Sequence, residues 1–485
     1  MSNNKLKIVH IASEVDPFTK TGGLGDVTRS LPKAQKRLGH DVCLITPMYG
    51  KIIDLKKHGI KLIEKNIKIS INSEDTVKVN YYKGYLMHGL PVYFIENVKY
   101  FSKRKALYGS THENARFMLF NVAALRLINM LKMEPDIIQC HDWQAGLIPY
   151  YIKTKFHYTK NLSKTKTLFT IHNLVFQMGM NWWKIPLKNK DYGKTKLPHL
   201  NDPKIEYINF SKRAIMSADM INTVSEHYAE EIMTKKFGQD LHRILQNRKH
   251  KLFGIVNGID YNAYNPSTDP GLKKHYNSQQ AGVKNQNKKF LQQKLNLPTI
   301  DEIPIIAMTS RIVFQKGFAL IKKTIDKLAQ MNLQIIIMGD GDKEYVSFLK
   351  KFQKKYPKKI IWIPFNKEIE TLIYAGSDMF LLPSHHEPCG LNQLIAMRYG
   401  CVPIVHKVGG LFDTVENYNP AKNSGTGFVF NNFDAYELFG AIIRAMENFK
   451  NKKKWKQLVT RDMQESNSWE IPAKKYIDLY KKILK

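Results

Sequence analysis

Cysteine is scarce in this sequence: its 485 residues include only Cys43, Cys140, Cys389 and Cys401. None of them lies in the CxxC spacing of a zinc or redox motif, and four cysteines in a chain of this length provide no disulfide framework. Long hydrophobic runs are also lacking, since no stretch approaches the roughly 18 apolar residues of a membrane-spanning helix. The first residues pass directly into a strand-like segment, KIVHIAS, which leaves no room for a signal or transit peptide. We therefore expect a cytoplasmic protein with no membrane partner.

Acidic residues are few relative to basic ones, with 42 Asp and Glu against 75 Lys and Arg, so the formal net charge is +33. An excess of this size raises the question of nucleic-acid binding. The lysines, however, are spread over the whole chain, in stretches such as KKHGIKLIEKNIKIS and KKFQKKYPKK, and are mixed with Asn and Ile. This pattern indicates a compositional bias and not a binding groove, and we expect no nucleic-acid partner.

The length of the chain predicts two domains, because 485 residues are too many for one ordinary core. Apolar strands alternate with amphipathic helices in both halves, a pattern that is typical of parallel sheets covered by helices. Neither half contains internal repeats. We place the domains at 1–260 and 261–465, followed by an amphipathic helix at 466–485.

The most informative stretch is PSHHEPCGLNQLIAMRYG, at 383–400. It follows the apolar run DMFLLPS, which is typical of a buried parallel strand. The helix that it opens is predicted to turn inward the side chains of Leu391, Leu394, Ile395 and Met397. Glu387 therefore lies in a strand-to-helix turn, where open α/β sheets bind ligands and where unpaired backbone N–H groups suit phosphate. By itself, a lone Glu in a loop is more often a cap or a solvated charge.

Polar residues follow other predicted strands of the first half. The loop KTGGLGDV after the first strand lacks both the GxGxxG and the GK[ST] spacing, and its Asp26 suits either an N-cap or a ligand contact. A later strand ends in HDW, at 141–143, where a capping Asp142 is the structural alternative to a binding role. His172 and Asn173 follow the next strand; an isolated His is usually structural.

Two cations follow a strand of the second half. Arg311 and Lys316 come after IPIIAMTS and just before a helix predicted to begin at Gly317. An Arg that chelates two oxygens and a Lys that supplies a point charge suit a diphosphate. Because basic pairs are frequent in a chain with 75 Lys and Arg, the spacing alone identifies nothing.

The segment EPCGL resembles the bacterial glycogen synthase and plastid starch synthase family of retaining glucosyltransferases, as do KTGGL, HDW, HNL, NGID, SRxxxQKG and GGLxDTV in the same order. The resemblance covers the whole chain. It implies the GT-B fold, an α/β architecture in which two Rossmann-like domains face each other across a cleft and a C-terminal helix crosses back to the first. It also implies transfer of glucose from ADP-glucose to the non-reducing end of an α-1,4-glucan, either glycogen or starch, with retention of configuration and release of ADP.

The resemblance further implies the roles of individual residues. Glu387 and His172 would hold the transferred glucose, while Arg311 and Lys316 would neutralise the departing diphosphate. The substrate-binding residues that it implies are Lys20, Gly22, Gly23, Asp142, Asn173, Asn257, Cys389, Gly390, Leu391, Asn392, Gly409 and Gly410. We find no second carboxylate placed as in retaining glycosidases, and the resemblance implies that the leaving phosphate takes the acceptor's proton. We expect neither a metal nor a cofactor.

The sequence departs from the family at two places and leaves other choices open. Gln144 stands where HDWHA has its second His, and His385-His386 precede Glu387 where other residues are usual. A UDP-sugar transferase of the sucrose synthase type and a non-catalytic glucan-binding relative are the alternatives. Donor nucleotide, primer preference and oligomeric state are not fixed by the sequence.

Overall fold

The computed structural model describes residues 5–71, 75–109 and 112–485, so the first four residues of the predicted first domain lie outside it. The chain forms two compact units. One unit comprises Met1–Asn257 together with Trp469–Lys485, and the other comprises Gly258–Ser468. These limits lie close to the predicted boundaries at 260 and 465.

The first unit contains one large sheet, whose strands follow from apolar and β-branched runs. Its strands within the described residues are β1 (Lys7–Ile11), β2 (Asp41–Pro47), β3 (Lys61–Ser70), β4 (Thr76–Leu86), β5 (Leu90–Glu96), β6 (Ile137–His141), β7 (Lys166–Ile171), β8 (Met220–Thr223) and β9 (Leu252–Gly254). Their order is β3-β4-β5-β2-β1-β6-β7-β8-β9. The pairs β3–β4 and β4–β5 are antiparallel, and the other pairs are parallel. The order reverses between β1 and β6, which makes their carboxyl ends a topological switch point.

Helices cover this sheet because their apolar faces and those of the strands bury each other. They are α1 (Gly23–Arg37), α2 (Glu113–Met130), α3 (Ile148–Thr154), α4 (Phe210–Ser217), α5 (Glu226–Glu231), α6 (His242–Asn247) and the C-terminal helix α15 (Glu470–Leu484). The C-terminal helix packs against α1 and β7, and Tyr476 and Tyr480 on it are fully buried. None of the helices among the described residues has both the length and the apolar character that crossing a membrane requires.

The second unit repeats the plan with a fully parallel sheet. Its strands within the described residues are β10 (Ile305–Thr309), β11 (Gln334–Met338), β12 (Ile360–Ile363), β13 (Met379–Leu382), β14 (Val402–His406) and β15 (Phe428–Phe430). The order β12-β11-β10-β13-β14-β15 is the doubly wound order, with its switch point between β10 and β13. The helices are α7 (Lys284–Lys294), α8 (Phe318–Gln330), α9 (Lys343–Lys355), α10 (Lys367–Gly376), α11 (Asn392–Arg398), α12 (Gly409–Thr414), α13 (Ala435–Lys450) and α14 (Lys452–Gln464).

The helix starts exclude one alternative left open for Asp26 and contradict the prediction that Leu391 turns inward. Helix α1 begins at Gly23 with Gly22 at the N-cap position, so Asp26 lies inside the first turn and is not the N-cap. Helix α11 begins at Asn392, so Leu391 precedes it and is only partly buried, whereas Leu394, Ile395 and Met397 do turn inward. In both cases the turn before the helix contains glycine, Gly22 before α1 and Gly390 before α11.

Candidate active site

The switch point of the second unit forms a pocket. Its lining residues come from the carboxyl ends of β10 and β13 and from the loops that follow them: Met308, Thr309, Ser310, Lys316, Leu381, Leu382, Ser384, Glu387, Gly390, Leu391 and Asn392. Because parallel strands end at the same edge of a sheet, residues far apart in the sequence converge here. Five of the residues predicted from the sequence, among them Lys316 and Glu387, are part of this lining.

Glu387 and Lys316 form an ion pair inside this pocket. The Lys316 Nζ lies 2.5 Å from Glu387 Oε2, which also accepts a hydrogen bond of 3.0 Å from the Ser384 hydroxyl. Glu387 is only 7% exposed. Within the described residues its other oxygen, Oε1, accepts no hydrogen bond. The pocket therefore presents a carboxylate oxygen and an ammonium group that has further N–H donors.

Glycines hold the Glu387 backbone in place. The Gly410 N–H donates to the Glu387 carbonyl at 3.1 Å. Gly409 has a left-handed φ of 47°, and a Cβ at this position would lie 2.0 Å from the same carbonyl. The loop after β14 thus packs directly on the turn that carries Glu387, and only glycine permits this approach.

The turn at 389–392 is fixed by side-chain hydrogen bonds. The Asn392 side chain donates to the Thr309 carbonyl at 2.6 Å and ties the start of α11 to β10. The Gln393 amide donates to the carbonyls of Cys389 and Gly390. Cys389 is buried. These bonds determine the position of the turn that the sequence assigns to phosphate binding.

Arg311 lies on the same loop as Lys316 but in a different environment. Its side chain is exposed and, within the described part of the chain, takes part in no hydrogen bond or ion pair. The loop itself is anchored, since the Ile312 N–H donates to the Asp340 carbonyl at 2.8 Å. Lys316 and Arg311 are thus held on one loop, and of these two cations only Lys316 contacts Glu387.

The unusual His385-His386 pair supports the loop that carries Lys316. The His385 N–H donates to the Gln315 carbonyl, and the Gln315 amide donates back to the His386 carbonyl. The His385 ring packs against Phe314 and Phe433. Burial lowers the pKa of His386 to about 4, so this ring is neutral near pH 7. The pair is therefore part of the packing beside the pocket.

The switch point of the first unit gathers Asp142 and His172. The Asp142 carboxylate accepts a hydrogen bond of 2.7 Å from the His172 N–H, and it makes no capping bond in its own turn, where its φ is 56°. The structure therefore excludes the capping alternative. Burial raises the pKa of Asp142 to about 7, against the opposing effect of the hydrogen bonds from the His172 and Asn173 backbone.

The Gly-rich loop after β1 is held by Glu14, a buried residue that the sequence analysis missed. Its carboxylate accepts two hydrogen bonds of 2.6 Å from the N–H and hydroxyl of Thr21, and one of 2.7 Å from Tyr108. Lys20, which precedes Thr21, forms an ion pair with Asp26 in which Nζ lies 2.5 Å from Oδ1. Gly22 and Gly23 lie at the exposed start of α1. An acidic residue just after a strand was the available signal for Glu14.

Three imidazoles lie in a row under this site. His172 Nε2 is 3.0 Å from His141 Nδ1, and His141 Nε2 is 3.0 Å from His10 Nδ1. Adjacent rings are stacked. Burial lowers the pKa of His10 to about 4 and that of His172 to about 3, and it lowers the pKa of His141 as well. All three rings are therefore neutral near pH 7.

The burial and hydrogen bonds of three further polar residues of the first unit bear on their predicted roles. Asn257 is the last residue of the first segment of this unit and is 5% exposed, and its buried side-chain oxygen has no hydrogen-bond partner among the described residues. The Asn173 side chain accepts from the Val175 N–H and so stabilises its own turn. Gln144, which replaces the expected His, is buried, and within the described part of the chain its side-chain oxygen accepts no hydrogen bond. Among the described residues no group of three or more His, Cys, Asp or Glu is arranged to hold a metal ion.

Comparisons with known proteins agree over the whole chain. The model of the starch synthase catalytic domain matches residues 7–247, and that of glycosyl transferases group 1 matches residues 288–461. Glycogen synthase of Geotalea daltonii is 38% identical over 99% of both chains, and that of Geotalea uraniireducens is 39% identical over 98% of both. Among solved structures, the catalytic domain of starch synthase IV from Arabidopsis thaliana, bound to ADP and acarbose, has a TM-score of 0.87 and 31% identity over 99% of both chains.

Proposed function

Because the chain belongs to the family of bacterial glycogen synthases and starch synthases, a family of GT-B glycosyltransferases, we propose that it transfers glucose from ADP-glucose to the non-reducing end of an α-1,4-glucan with retention of configuration. Membership gives a nucleotide-sugar donor and a glucan acceptor. The choice of ADP-glucose over UDP-glucose is the finer part of the proposal. Its support is the starch synthase IV structure, which holds ADP and is similar to this chain over its full length.

The observation that carries the assignment of the site is the Lys316–Glu387 pair in the switch-point pocket. We assign Lys316 to the diphosphate, since an ammonium group has three N–H donors and Glu387 uses one of them. We assign Glu387 to the sugar hydroxyls, because its Oε1 is available and its negative charge strengthens a hydrogen bond from a hydroxyl. One pocket thus provides a cation for the leaving group and an anion for the sugar.

The remaining residues of the second unit have supporting roles in this proposal. Arg311, whose guanidinium is exposed, binds a further diphosphate oxygen. The backbone N–H groups of Gly390, Leu391 and Asn392 donate to the phosphates as well. Cys389 is buried beside them. Positive groups aimed at the leaving diphosphate stabilise the charge that grows as the anomeric bond breaks. The departing phosphate oxygen takes the proton of the acceptor hydroxyl on the same face of the sugar. Gly409 and Gly410 position Glu387.

In the first unit, we assign His172 to the transferred glucose. Asp142 holds the turn that carries His172, through the hydrogen bond to its N–H. Lys20, Gly22, Gly23, Asn173 and Asn257 are proposed to bind substrate as well. The buried and unpaired oxygen of Asn257 supports this role, because a buried acceptor gains a hydrogen bond when a ligand donor reaches it.

Parallel assays with ADP-glucose and UDP-glucose test the donor. Labelled glucose is transferred to glycogen by the purified protein, with a metal chelator present. The proposal predicts faster incorporation from ADP-glucose, resistance to the chelator, and release of the label by an α-1,4-glucan hydrolase. Incorporation from UDP-glucose alone would contradict the donor assignment.

A non-catalytic glucan-binding protein is the other candidate. Absence of incorporation from both donors, with glycogen binding retained, would favour it. The cytoplasmic location remains a prediction.

A further inference from the structure

A continuous chain of buried hydrogen bonds links His172 to the C-terminal helix. Beyond the three histidines, His10 Nε2 lies 2.7 Å from the Gln35 side-chain oxygen, and the Gln35 amide donates to the Tyr480 hydroxyl at 2.9 Å. The Tyr480 hydroxyl in turn donates to Gln139 Oε1. The residues of this network belong to β1, α1, β6 and α15, and His172, at its end, lies in the turn after β7.

At Asn222, the far end of this network, the direction of hydrogen-bond donation is fixed. The Asn222 amide nitrogen donates to the backbone carbonyl of Thr223 at 3.3 Å and to the Tyr476 hydroxyl at 2.9 Å. A carbonyl only accepts, so the oxygen of the Asn222 amide must point the other way. There it accepts the Thr170 hydroxyl at 2.6 Å, and Thr170 accepts the Gln139 amide at 2.7 Å.

The donor and acceptor at each following hydrogen bond, as far as the histidines, are then determined as well. With its amide nitrogen on Thr170, Gln139 presents its oxygen to the Tyr480 hydroxyl, which leaves the Tyr480 oxygen to accept from Gln35. The Gln35 oxygen therefore faces His10 Nε2 and requires a proton there. Each neutral imidazole has one N–H, so the remaining nitrogen of each ring is an acceptor.

We propose that Gln35, His10 and His141, oriented through Tyr480, are positioning residues that fix His172 in the tautomer with its proton on Nε2. His172 Nε2–H donates a hydrogen bond to His141 Nδ1, and His172 Nδ1 is left as a hydrogen-bond acceptor. The inference rests on the proposed contact of His172 with the transferred glucose, and it specifies that contact: Nδ1 accepts a hydrogen bond from a sugar hydroxyl. The burial of the three rings agrees with this proposal, because burial keeps them neutral and only a neutral ring has one donor and one acceptor nitrogen.

The state of His172 is measured first without any substrate. The protein, which contains 16 histidines, is labelled with nitrogen-15 in its imidazole rings, and the His172 signals are identified by their loss in His172→Gln. The proposal predicts a pyrrole-like shift for Nε2 and a pyridine-like shift for Nδ1. The opposite assignment, or an even mixture of tautomers, would overturn it. The proposed function is tested separately by incorporation with the unchanged protein, so the two failures are distinguishable.

Two matched substitutions on α15 test whether this hydrogen-bond network determines the His172 tautomer. Tyr480→Phe removes the hydroxyl between Gln139 and Gln35, so that the Gln35 amide can turn and reverse the direction. Tyr476→Phe removes an equally buried hydroxyl from the same helix but leaves the Asn222 amide fixed by the Thr223 carbonyl. We expect Tyr480→Phe to introduce the second His172 tautomer and to lower kcat roughly two- to tenfold, the effect of one neutral hydrogen bond. Tyr476→Phe keeps the wild-type spectrum and rate.

The outcome does not depend on the stability of one variant. The KM for glucan is expected to stay unchanged in Tyr480→Phe, which separates a loss of orientation from general damage to the unit. Identical His172 spectra in the two variants would overturn the role of Tyr480. Equal losses of kcat in both variants would do the same, since a merely structural effect of losing a buried hydroxyl would appear in each.

Discussion

The ammonium nitrogen of Lys316 lies 2.5 Å from the Glu387 carboxylate, although the two residues are 71 positions apart in the sequence. They belong to the loops that follow the adjacent strands β10 and β13. Gly317 lets these loops meet: its φ is 84°, and a Cβ there would lie 2.0 Å from the Pro383 carbonyl. In a mostly buried pocket the two charges attract each other more strongly than in water.

Removal of the negative charge of Glu387 is expected to abolish most transfer. Glu387→Gln keeps the size of the side chain and an acceptor for Ser384, but it weakens the hold on the sugar in the transition state. We predict a fall in kcat of about a hundredfold or more, measured as initial rates with ADP-glucose. Glu368→Gln, at an exposed position of α10, serves as the control with an unchanged rate. Wild-type turnover in Glu387→Gln would contradict the assignment of the site.

Lys316→Ala is expected to reduce both activity and stability. It leaves the nearly buried Glu387 carboxylate without its cation, which should lower the free energy of unfolding by about 1–3 kcal/mol. Lys322→Ala removes an ion pair to Glu344 that is exposed to water and should change stability by less than about 0.5 kcal/mol. Urea denaturation and initial rates of the two variants provide the comparison. Similar stability of the two would show that the buried pair has no structural role.

Gly409→Ala tests how the Glu387 turn is held. The added Cβ meets the Glu387 carbonyl at 2.0 Å from a left-handed backbone, so the turn must move. We expect a loss of about 2 kcal/mol or more in stability and a marked loss of activity. Gly282→Ala places its Cβ in open space and should leave both quantities unchanged. Full activity of Gly409→Ala would mean that the turn tolerates displacement.

The buried histidines should make the first unit sensitive to acid. The pKa of His10 falls from 6.5 in the unfolded chain to about 4 in the folded protein because of burial, so its stabilising contribution is complete above pH 6.5 and is lost as pH falls toward 4. Between pH 7 and 5 this single residue should cost about 2 kcal/mol of unfolding free energy. Urea denaturation of His10→Phe should therefore show a pH dependence that is smaller by this amount. An unchanged pH dependence would indicate that folding does not shift the pKa of His10.

Local patterns in the sequence predict most of the fold. Apolar runs such as IIAMT and QIIIM form the buried strands β10 and β11, because strands covered on both faces have no polar side to show. The GT-B class that the motifs imply is confirmed by the relatives and by the starch synthase IV structure. The roles of Glu387, His172 and the other site residues stay predictions until they are measured.

Contacts between distant residues are what the sequence does not reveal. Gln35 meets Tyr480 across 445 positions, and the apolar spacing of α15 is the same whether such a tyrosine fills the core or orients a network. The role of Glu14 depends on a turn that brings Thr21 back onto it, and the true start of α1 depends on the geometry of two glycines. These features follow from strand register and loop path, which short patterns do not encode.

The product of the reaction tests the central claim most directly. The purified protein is incubated with ADP-glucose and a short α-1,4-glucan primer, and proton NMR follows the anomeric signals. We predict that each ADP released is matched by one new α-1,4 linkage at the non-reducing end of the primer. A β-linked product, or ADP released together with free glucose and no growth of the primer, would contradict the proposed retaining transfer.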